Sequence, residues 1–427
     1  MPDQVSADTL PAPFDSAYFA DPYAILAELR ESGPVHRVAT PEGDPIWLLT
    51  READIRAALT DPRLALNRIH SRGGYAGFAL PPALDANLLN RDGADHTRIR
   101  RLVSGAFTPA RAEALGAGIR STATRLARTI AERGGGDLVA DYAAPLPLAA
   151  IGDLLDVPEP DRERFAQWTS TMLAPANRAQ VTESVQSIHR FLLELIAARR
   201  ANPGEDLLST WIGARDQASP DNAAADNTTF DATLDATLDD EHRLDENELV
   251  SLTFLVLWAG IENITHLISH GMLLLLRRPD QLAALRADPA LLPAMVEELL
   301  RYAHPNVLSI RRFTTAEVEI GGVRIPAGDT VMLALASANR DPARFPDPGH
   351  LDPARADNPH LAFGHGPHYC LGAALARLEL RIAFGVLLEQ VPAMELAIPE
   401  HELRWRPSFR SLGLLSLPVR GGCDGQR

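Results

Sequence analysis

Lysine does not occur anywhere in the 427 residues, and cysteine occurs only twice. All 41 basic residues are therefore arginines, which indicates codon usage in a GC-rich genome rather than a chemical requirement. The two cysteines, Cys370 and Cys423, are too few for a disulfide framework, so we expect a reducing, cytoplasmic environment. Cys423 lies in a glycine-rich tail, residues 421–427, that we predict to be disordered.

Positive charge is also in deficit. The chain has 41 basic and 56 acidic residues, a net charge of −15, which argues against nucleic acid or an anionic membrane as partners. The N-terminus has acidic residues and no basic-then-apolar run, so no signal peptide is predicted. The longest apolar stretch, residues 249–261, is too short to span a bilayer and is followed by Glu262. We therefore expect a soluble cytoplasmic protein.

The most informative motif is residues 363–372, with the sequence FGHGPHYCLG. Its glycines let the backbone approach a flat ligand closely and adopt angles that other residues avoid. An apolar, alanine-rich helical pattern follows, so Cys370 lies at the N-terminal side of a helix, where the helix dipole favours a thiolate. A thiolate held in this way is a known axial ligand of an iron porphyrin. The alternative interpretation is a buried structural cysteine.

A second motif, LWAGIENIT at residues 257–265, lies in a long helix that we predict from Asp245 to about Arg277. The first half of this helix is apolar almost all round, which is typical of a helix inside a core. Ala259 and Gly260 leave room for a ligand on one face. Glu262 is an acid that a core tolerates only with partners or water.

Two pairs of residues have the spacing of one helical turn. His96 and Arg100 are four apart, so they share a face and can grip a carboxylate together, although a solvated basic face is the alternative. Glu298 and Arg301 are three apart and predict a buried ion pair.

A third segment of note, residues 216–248, changes the character of the chain. It contains eleven acidic residues and one arginine, together with a repeated DATL tetrapeptide. Such a composition cannot bury a core, so we predict a flexible acidic loop over residues 216–240. An inert insertion is the simpler interpretation, and docking of a partner is the alternative.

Taken together, these motifs resemble the cytochromes P450, and the resemblance covers nearly the whole chain. Residues 363–372 resemble the family's haem loop, and residues 257–265 its oxygen-binding groove. EELLR at 297–301, with Arg355, resembles its structural triad. The resemblance implies a mostly α fold with a minor β region, as one domain over residues 1–427. The haem would lie between the long central helix and the Cys-containing loop, as in the soluble bacterial members.

The resemblance also assigns roles to individual residues. The cofactor would be haem b, iron protoporphyrin IX, with Cys370 as its axial thiolate ligand. The cofactor-binding positions of the family fall on His96, Arg100, Arg312, His368, Cys370, Phe363, Gly364 and Gly372. Of these, His96, Arg100, Arg312 and His368 match the ligands of the haem propionates. The catalytic positions fall on Ala259, Gly260, Glu262 and Asn263.

The chain departs from the family at Asn263, where the family usually has threonine. Asparagine can donate a hydrogen bond and hold a water molecule, but it has no rotating hydroxyl. Thr265 is two residues further on, roughly opposite on the helix. Proton delivery would then use Asn263 with water, or a hydroxyl of the substrate. His266 and His270 are interpreted as polar positions on the helix face, since no third metal ligand is spaced nearby.

The implied activity is that of a haem-thiolate monooxygenase. One oxygen atom from O2 would enter a C–H bond, by hydroxylation or epoxidation, in a medium-to-large apolar secondary metabolite, with electrons from a ferredoxin and its reductase. Oxidative coupling or ring closure without oxygen insertion is the alternative, and a non-catalytic haem sensor or carrier is a further one. We expect a monomer. The sequence does not identify the substrate, because the loops at 64–90 and 160–190 diverge freely.

Overall fold

The computed structural model describes residues 10–73, 80–173, 178–216 and 243–421. Helices account for 57% of the structure, beside a small sheet region, so the prediction of a mostly α fold with a minor β part is confirmed. The predicted acidic loop and C-terminal tail lie outside the described residues, apart from Asp216 and Gly421.

Sixteen α-helices occur in the described part of the chain. In chain order they are α1 Ser16–Ala20, α2 Pro22–Ser32, α3 Glu52–Ala58, α4 Pro82–Asp85, α5 Gly93–Ser104, α6 Pro109–Arg133, α7 Pro145–Leu154, α8 Glu159–Leu173, α9 Arg178–Ala201, α10 Leu207–Asp216, α11 Glu246–Ala259, α12 Glu262–Leu276, α13 Pro279–Ala287, α14 Leu292–Tyr302, α15 Leu335–Ala338 and α16 Ala373–Gln390. A π-helical turn, Val139–Ala143, precedes α7.

In the described residues, ten short strands form the β part. They are β1 Val35–Ala39, β2 Pro45–Leu49, β3 Leu64–Ala65, β4 Gly135–Asp137, β5 Arg312–Thr314, β6 Val318–Ile320, β7 Val323–Ile325, β8 Thr330–Leu333, β9 Glu395–Leu396 and β10 Pro418–Arg420. A five-stranded sheet has the order β1-β2-β8-β5-β3, a three-stranded sheet the order β4-β10-β9, and β6 pairs with β7 as a hairpin. Among these ten strands, the β2–β8 pair is parallel and the other pairs are antiparallel.

The chain divides into two compact units. The first comprises residues 1–76, 120–146 and 263–427, and the second comprises residues 77–119 and 147–262. The prediction of a single domain over residues 1–427 stays a prediction.

The core of the first unit forms where the five-stranded sheet packs against the N-terminal helices. The buried residues of this strand pair are Val35, Val38 and Ala39 of β1 and Ile46, Leu48 and Leu49 of β2, so the pair covers the core without a strict alternation. Tyr18 of α1 is 2% exposed, and its hydroxyl donates a hydrogen bond to the carbonyl of Phe409 at 2.7 Å. This contact fixes the segment 408–412, which in turn pairs with residues 305–308 through the Asn306–Ser411 bridge.

In the second unit, α11 packs against α4, α9 and α10. Its first turn is stabilised by a reciprocal capping box. The Asp245 side chain accepts from the Glu248 N–H at 2.7 Å, and the Glu248 side chain accepts from the Asp245 N–H at 3.0 Å. The predicted helix start at Asp245 is therefore confirmed. Within α11, every residue from Glu248 to Leu255 is buried.

The long central helix is not continuous, which corrects the prediction of one helix from Asp245 to about Arg277. α11 ends at Ala259 and α12 begins at Glu262, with a turn at Gly260 and Ile261 between them. The Ile261 N–H reaches the carbonyl of Trp258 at 3.5 Å, so this turn is tighter than an α-helix. Glycine permits the change because its backbone is the most freely deformable.

Among the described residues, one stretch is long and apolar enough to cross a membrane, namely Glu246–Leu276. Of its most apolar window, 61% is buried inside the protein. A core helix meets the same criteria of length and composition, so this stretch is weak support for a membrane span.

A buried ion pair holds the irregular segment that leads to the Cys-containing loop. Glu298 and Arg301 of α14 are 2.6 Å apart, and their side chains are 1% and 0% exposed. Arg301 also donates to the carbonyls of Asn339, Pro348 and His350 at 2.9–3.0 Å. The predicted ion pair is thus confirmed.

The same carboxylate binds three further residues of that segment. Glu298 accepts from the Asp352 N–H at 2.9 Å, from the Asn358 amide at 3.2 Å and from Arg355 at 3.4 Å. Arg355 therefore joins the ion pair, as the triad resemblance implies. Because the carboxylate has a partner for each lone pair, burying it is tolerated.

Candidate active site

The Cys-containing loop, residues 363–372, is shaped by glycine. Gly364 and Gly366 have φ of 71° and 73°, in the left-handed region that favours glycine. A Cβ on Gly366 would also meet the Thr60 side chain at 2.7 Å and the Leu59 carbonyl at 3.1 Å. The loop closes where the Cys370 N–H donates to the Phe363 carbonyl at 2.9 Å. The prediction that the glycines serve unusual backbone angles is confirmed at these two positions.

Cys370 lies three residues before α16, with Gly372 as the N-cap of that helix. The residue is exposed and makes no disulfide, so the interpretation as a buried structural cysteine is wrong. At the N-terminal side of a helix, the dipole and unpaired N–H groups favour the thiolate. A Cβ on Gly372 would meet no other atom within 4 Å. The thiol is therefore accessible, and the backbone two residues further on, at Gly372, has no side chain that would obstruct a ligand.

The remaining predicted cofactor residues of the first unit lie on two elements. Arg312 opens β5, is 5% exposed and donates to the Leu64 carbonyl at 3.3 Å. His368 is half-buried in the 3₁₀ turn just before Cys370. Phe363 is half-buried at the start of the loop. The loop thus brings Phe363, His368 and Cys370 together, whereas Arg312 comes from the sheet.

His96 and Arg100 lie on α5, in the second unit. They are one turn apart on the same face, as predicted; His96 is 2% exposed and Arg100 is half-buried. The opposite face of α5 carries Arg98, which forms an ion pair with Glu248 and donates to the Arg243 carbonyl at 2.7 Å. Because His96 is buried, the His96–Arg100 face does not fit the alternative interpretation of a solvated basic face.

The turn between α11 and α12 is the least buried part of the central stretch. Ala259 is exposed, and Gly260, Ile261, Glu262 and Asn263 are half-buried, whereas the residues of α12 from Ile264 to Leu275 are all buried. Glu262 is the first residue of α12, where the helix dipole favours a carboxylate. An acid, an amide and a small residue therefore share one accessible turn.

Gly260 does not leave room for a ligand, contrary to the sequence prediction. A Cβ there would lie 2.5 Å from two side-chain carbons of Ile151. The missing side chain at Gly260 instead allows α7 to pack closely on the turn. Of the two small residues, only Ala259 leaves accessible space.

His266 and His270 are buried, each 5% exposed, so the interpretation as polar positions on a helix face is wrong. The His270 ring packs edge-on against Trp405, with centroids 5.0 Å apart. Burial, with the positive Arg340 and Arg277 nearby, lowers the pKa of His270 to about 3. His270 is thus neutral. In the parts of the chain that the structure describes, no three His, Cys, Asp or Glu side chains converge as a metal site would require.

Two features of α16 and its surroundings are not predicted from the sequence. Arg377 forms an ion pair with Glu297 of α14 at 2.7 Å. Glu379 is 1% exposed, and its Oε1 has no hydrogen-bond partner among the described residues. The signal in the sequence is the charged Arg-Leu-Glu triplet at residues 377–379 inside a largely apolar helix, since charges in such a place need partners or neutralisation.

The comparisons with known proteins identify one family. The cytochrome P450 family model matches residues 28–394. The curated relatives include the cytochrome P450 monooxygenase PikC of Streptomyces venezuelae, 42% identical over 94% of this chain and 92% of that protein. The 6-deoxyerythronolide B hydroxylase of Saccharopolyspora erythraea is 37% identical over 96% of this chain and 99% of that protein.

The solved structures give the same result. The tirandamycin C-bound P450 monooxygenase TamI superposes with a TM-score of 0.83, at 38% identity, over 96% of this chain and 99% of that chain. The chain belongs to the cytochrome P450 family, has the P450 fold and is an oxidoreductase of the monooxygenase class. Membership of this family implies a haem-thiolate cofactor, O2 and a redox partner.

Glu379 yields a pH-dependence of stability. Burial raises the pKa of Glu379 to about 8 in the folded protein, from about 4.5 in an unfolded chain. The folded protein therefore holds a proton that the unfolded chain releases, and stability falls as the pH rises from about 4.5 to 8. Glutamine cannot ionise, so the free energy of unfolding of Glu379→Gln should not show this loss. Relative to the parent, we expect it to rise by at most roughly 3–5 kcal/mol between pH 5 and pH 8.5.

The measurement for Glu379 is the thermal unfolding midpoint of parent and variant at pH 5 and pH 8.5. The matched control is Glu389→Gln, a change of the exposed acid on the same helix. An equal difference between Glu379→Gln and parent at both pH values would contradict a protonated Glu379.

Proposed function

We propose that the chain uses haem b, bound through the Cys370 thiolate, to insert one oxygen atom from O2 into a C–H or C=C bond of a medium-to-large apolar secondary metabolite. The observation that carries the proposal is the accessible Cys370 thiol, three residues before α16 and in a loop in which Gly364 and Gly366 adopt left-handed angles. Relatives named for hydroxylation and monooxygenation support the same reaction.

The residues present fit a haem. A soft, accessible thiol at a helix N-terminus is the donor that haem-thiolate proteins use. The backbone at Gly372 carries no side chain, and a Cβ there would point into open space, so a flat macrocycle can approach. Each of the side chains that the family resemblance assigns to the propionates, His96, Arg100, Arg312 and His368, has a hydrogen-bond donor of the kind that a carboxylate accepts.

When bound, the haem supplies the reductive activation of O2. The protein supplies the protons. Glu262, at the first position of α12, is a half-buried carboxylate that can exchange protons with solvent. Asn263, the next residue, can donate a side-chain N–H and hold a water molecule. Ala259 provides the accessible space in which substrate and O2 meet these groups.

The partners and setting follow the same reasoning. We infer a ferredoxin-type electron donor, a monomer and a cytoplasmic location. The net charge of −15 supports the exclusion of nucleic acid and anionic membranes. The polyketide biosynthesis cytochrome P450 PksS of Bacillus subtilis, 33% identical over 95% of this chain, supports a polyketide or a similar secondary metabolite as the substrate class.

The proposed activity is tested by turnover with a ferredoxin and its reductase on a panel of macrolactones and linear polyketides. Ligands that bind are first selected by the spin-state shift of the haem. We expect a product heavier by one oxygen atom, with O2 and reductant consumed. A product lighter by two hydrogens would indicate coupling or ring closure. Binding without any turnover would indicate a sensor or carrier; either outcome would overturn the proposal.

The assignment of Cys370 predicts the effect of Cys370→Ser. An alcohol is a poor ligand for this iron, so we expect the variant to lose the red-shifted absorption band of the reduced carbonyl complex, or to fail to retain haem. Cys423→Ser is the matched control and should keep both properties. A Cys370→Ser protein that keeps the band and the haem would disprove the assignment.

The assignment of Glu262 and Asn263 predicts different defects. Glu262→Gln removes an exchangeable proton, and we expect turnover to fall about 10²–10⁴-fold with little change in substrate affinity. Asn263→Ala should still consume O2 but release more of it as peroxide. Asn263→Thr should form as much product per reductant consumed as the parent. The measurement is the ratio of product to reductant consumed. If Asn263→Ala forms as much product per reductant as the parent, the protons come through the substrate or ordered water instead.

A further inference from the structure

A second ionic cluster, distinct from the Glu298 triad, contacts the Cys-containing loop directly. Arg377 of α16 meets Glu297 of α14 through two parallel hydrogen bonds, Nε to Oε1 at 2.7 Å and Nη2 to Oε2 at 3.0 Å. Both side chains are about one-third exposed, at 32% and 34%. This two-pronged geometry is the strongest form of such a pair and fixes the plane of the guanidinium.

The fixed guanidinium contacts two residues of the loop, Phe363 and Tyr369. Its central carbon lies 4.6 Å from the centroid of the Phe363 ring, within the range of a cation–π interaction. Its remaining terminal nitrogen, Nη1, donates to the Tyr369 hydroxyl at 3.3 Å. The two rings also pack edge-on, with centroids 6.3 Å apart. Arg377 therefore holds the first residue of the loop and the residue just before Cys370.

The backbone transmits these contacts to the cysteine. The Phe363 carbonyl accepts the Cys370 N–H at 2.9 Å, and Tyr369 is covalently joined to Cys370. Both contacts thus converge on one peptide group, the Tyr369–Cys370 amide, and a shift of either ring moves the backbone next to the sulfur. Peptide N–H groups near a thiolate set its basicity and its orientation.

Glu297 is anchored from a third direction. His360, whose side chain is 3% exposed, contacts the Glu297 Oε2 through Nε2 at 3.2 Å. The His360 ring also lies 6.1 Å from Phe363. Burial alone would raise the pKa of Glu297, but hydrogen bonds from His360 and Arg377 outweigh it and lower the pKa to about 2. Glu297 is thus a carboxylate throughout the working range of pH.

The neighbouring Glu298 does not duplicate this role. Its partners, Arg301, Arg355 and Asn358, all precede the loop. We propose that Glu297 and Arg377 are positioning residues that hold Phe363 and Tyr369, and through them set how firmly the Cys370 thiolate holds the haem iron. The inference rests on the proposed function of Cys370 as the axial ligand.

The main test compares Arg377→Gln with Arg381→Gln in the holoprotein. Arg381 lies one turn further along α16 and contacts the Arg377 carbonyl, at 3.3 Å, rather than the loop. The readout is the rate at which the red-shifted band of the reduced carbonyl complex converts to the band of protein that has lost its thiolate ligand. We expect this rate to rise about tenfold in Arg377→Gln, as is usual for residues that orient a metal ligand. Arg381→Gln should match the parent.

Conservative variants separate positioning from general destabilisation. Arg377→Lys keeps the charge but not the fork, so it should fall between parent and Arg377→Gln. Tyr369→Phe should show a smaller increase. Glu297→Gln removes the same fork from the other helix and replaces Arg377→Gln if that variant does not fold. Equal conversion rates in Arg377→Gln, Glu297→Gln and Arg381→Gln would overturn the inference.

A second readout does not use the haem. In the apoprotein of a Cys423→Ser background, the rate of Cys370 alkylation by iodoacetamide, measured against pH, reports the environment of the thiol. We expect the rate profile to shift in Arg377→Gln and not in Arg381→Gln. An unchanged profile, together with unchanged band conversion, would count against positioning.

The two proposals fail in different ways. If Cys370 is not the iron ligand, the parent itself lacks the red-shifted band, and the proposed function fails. If the parent shows a durable band and Arg377→Gln is equally durable, only the positioning role fails.

Discussion

The ion pair between Glu298 and Arg301 is the interaction on which the first unit most depends. Isolated buried charges are very costly, and such a pair is stable only when every donor and lone pair is satisfied. Arg301 meets this condition, because its five N–H groups are directed to Glu298 and to the carbonyls of Asn339, Pro348 and His350. Residues 339–361 contain few regular hydrogen bonds of their own. One side chain thus replaces the ladder of a sheet or helix for this segment.

Local patterns explain why so much of the fold can be predicted from the sequence. Helix starts such as Asp245, the buried pair Glu298–Arg301 and the left-handed glycines of the Cys-containing loop all depend on residues within a few positions of one another. The same holds for the placement of Cys370 before a helix. These features need only backbone geometry and spacing, which the sequence displays directly.

What could not be predicted depends on contacts between distant segments. The break at Gly260 is coupled to Ile151, more than a hundred residues away, which fills the space beside the glycine. His266 and His270 are polar in sequence, yet the His270 ring packs against Trp405 and the His266 ring lies beside Gly413. Glu297 and Arg377 are 80 residues apart, and nothing in their local sequence shows that they meet. Periodicity predicts which face of a helix is polar, but not which residue will cover it.

The consecutive acids of α14 have a consequence for how this helix can evolve. Successive residues on an α-helix point about 100° apart. Glu297 and Glu298 therefore contact two different segments from the same helical turn. Glu298 holds the segment before the loop, and Glu297 holds the helix after it. A rotation of α14 by a single residue, through an insertion or a deletion, would misdirect both carboxylates at once. The register of α14 therefore fixes the segments on both sides of the cysteine. We expect insertions and deletions in this helix to be tolerated less well than substitutions on its apolar face.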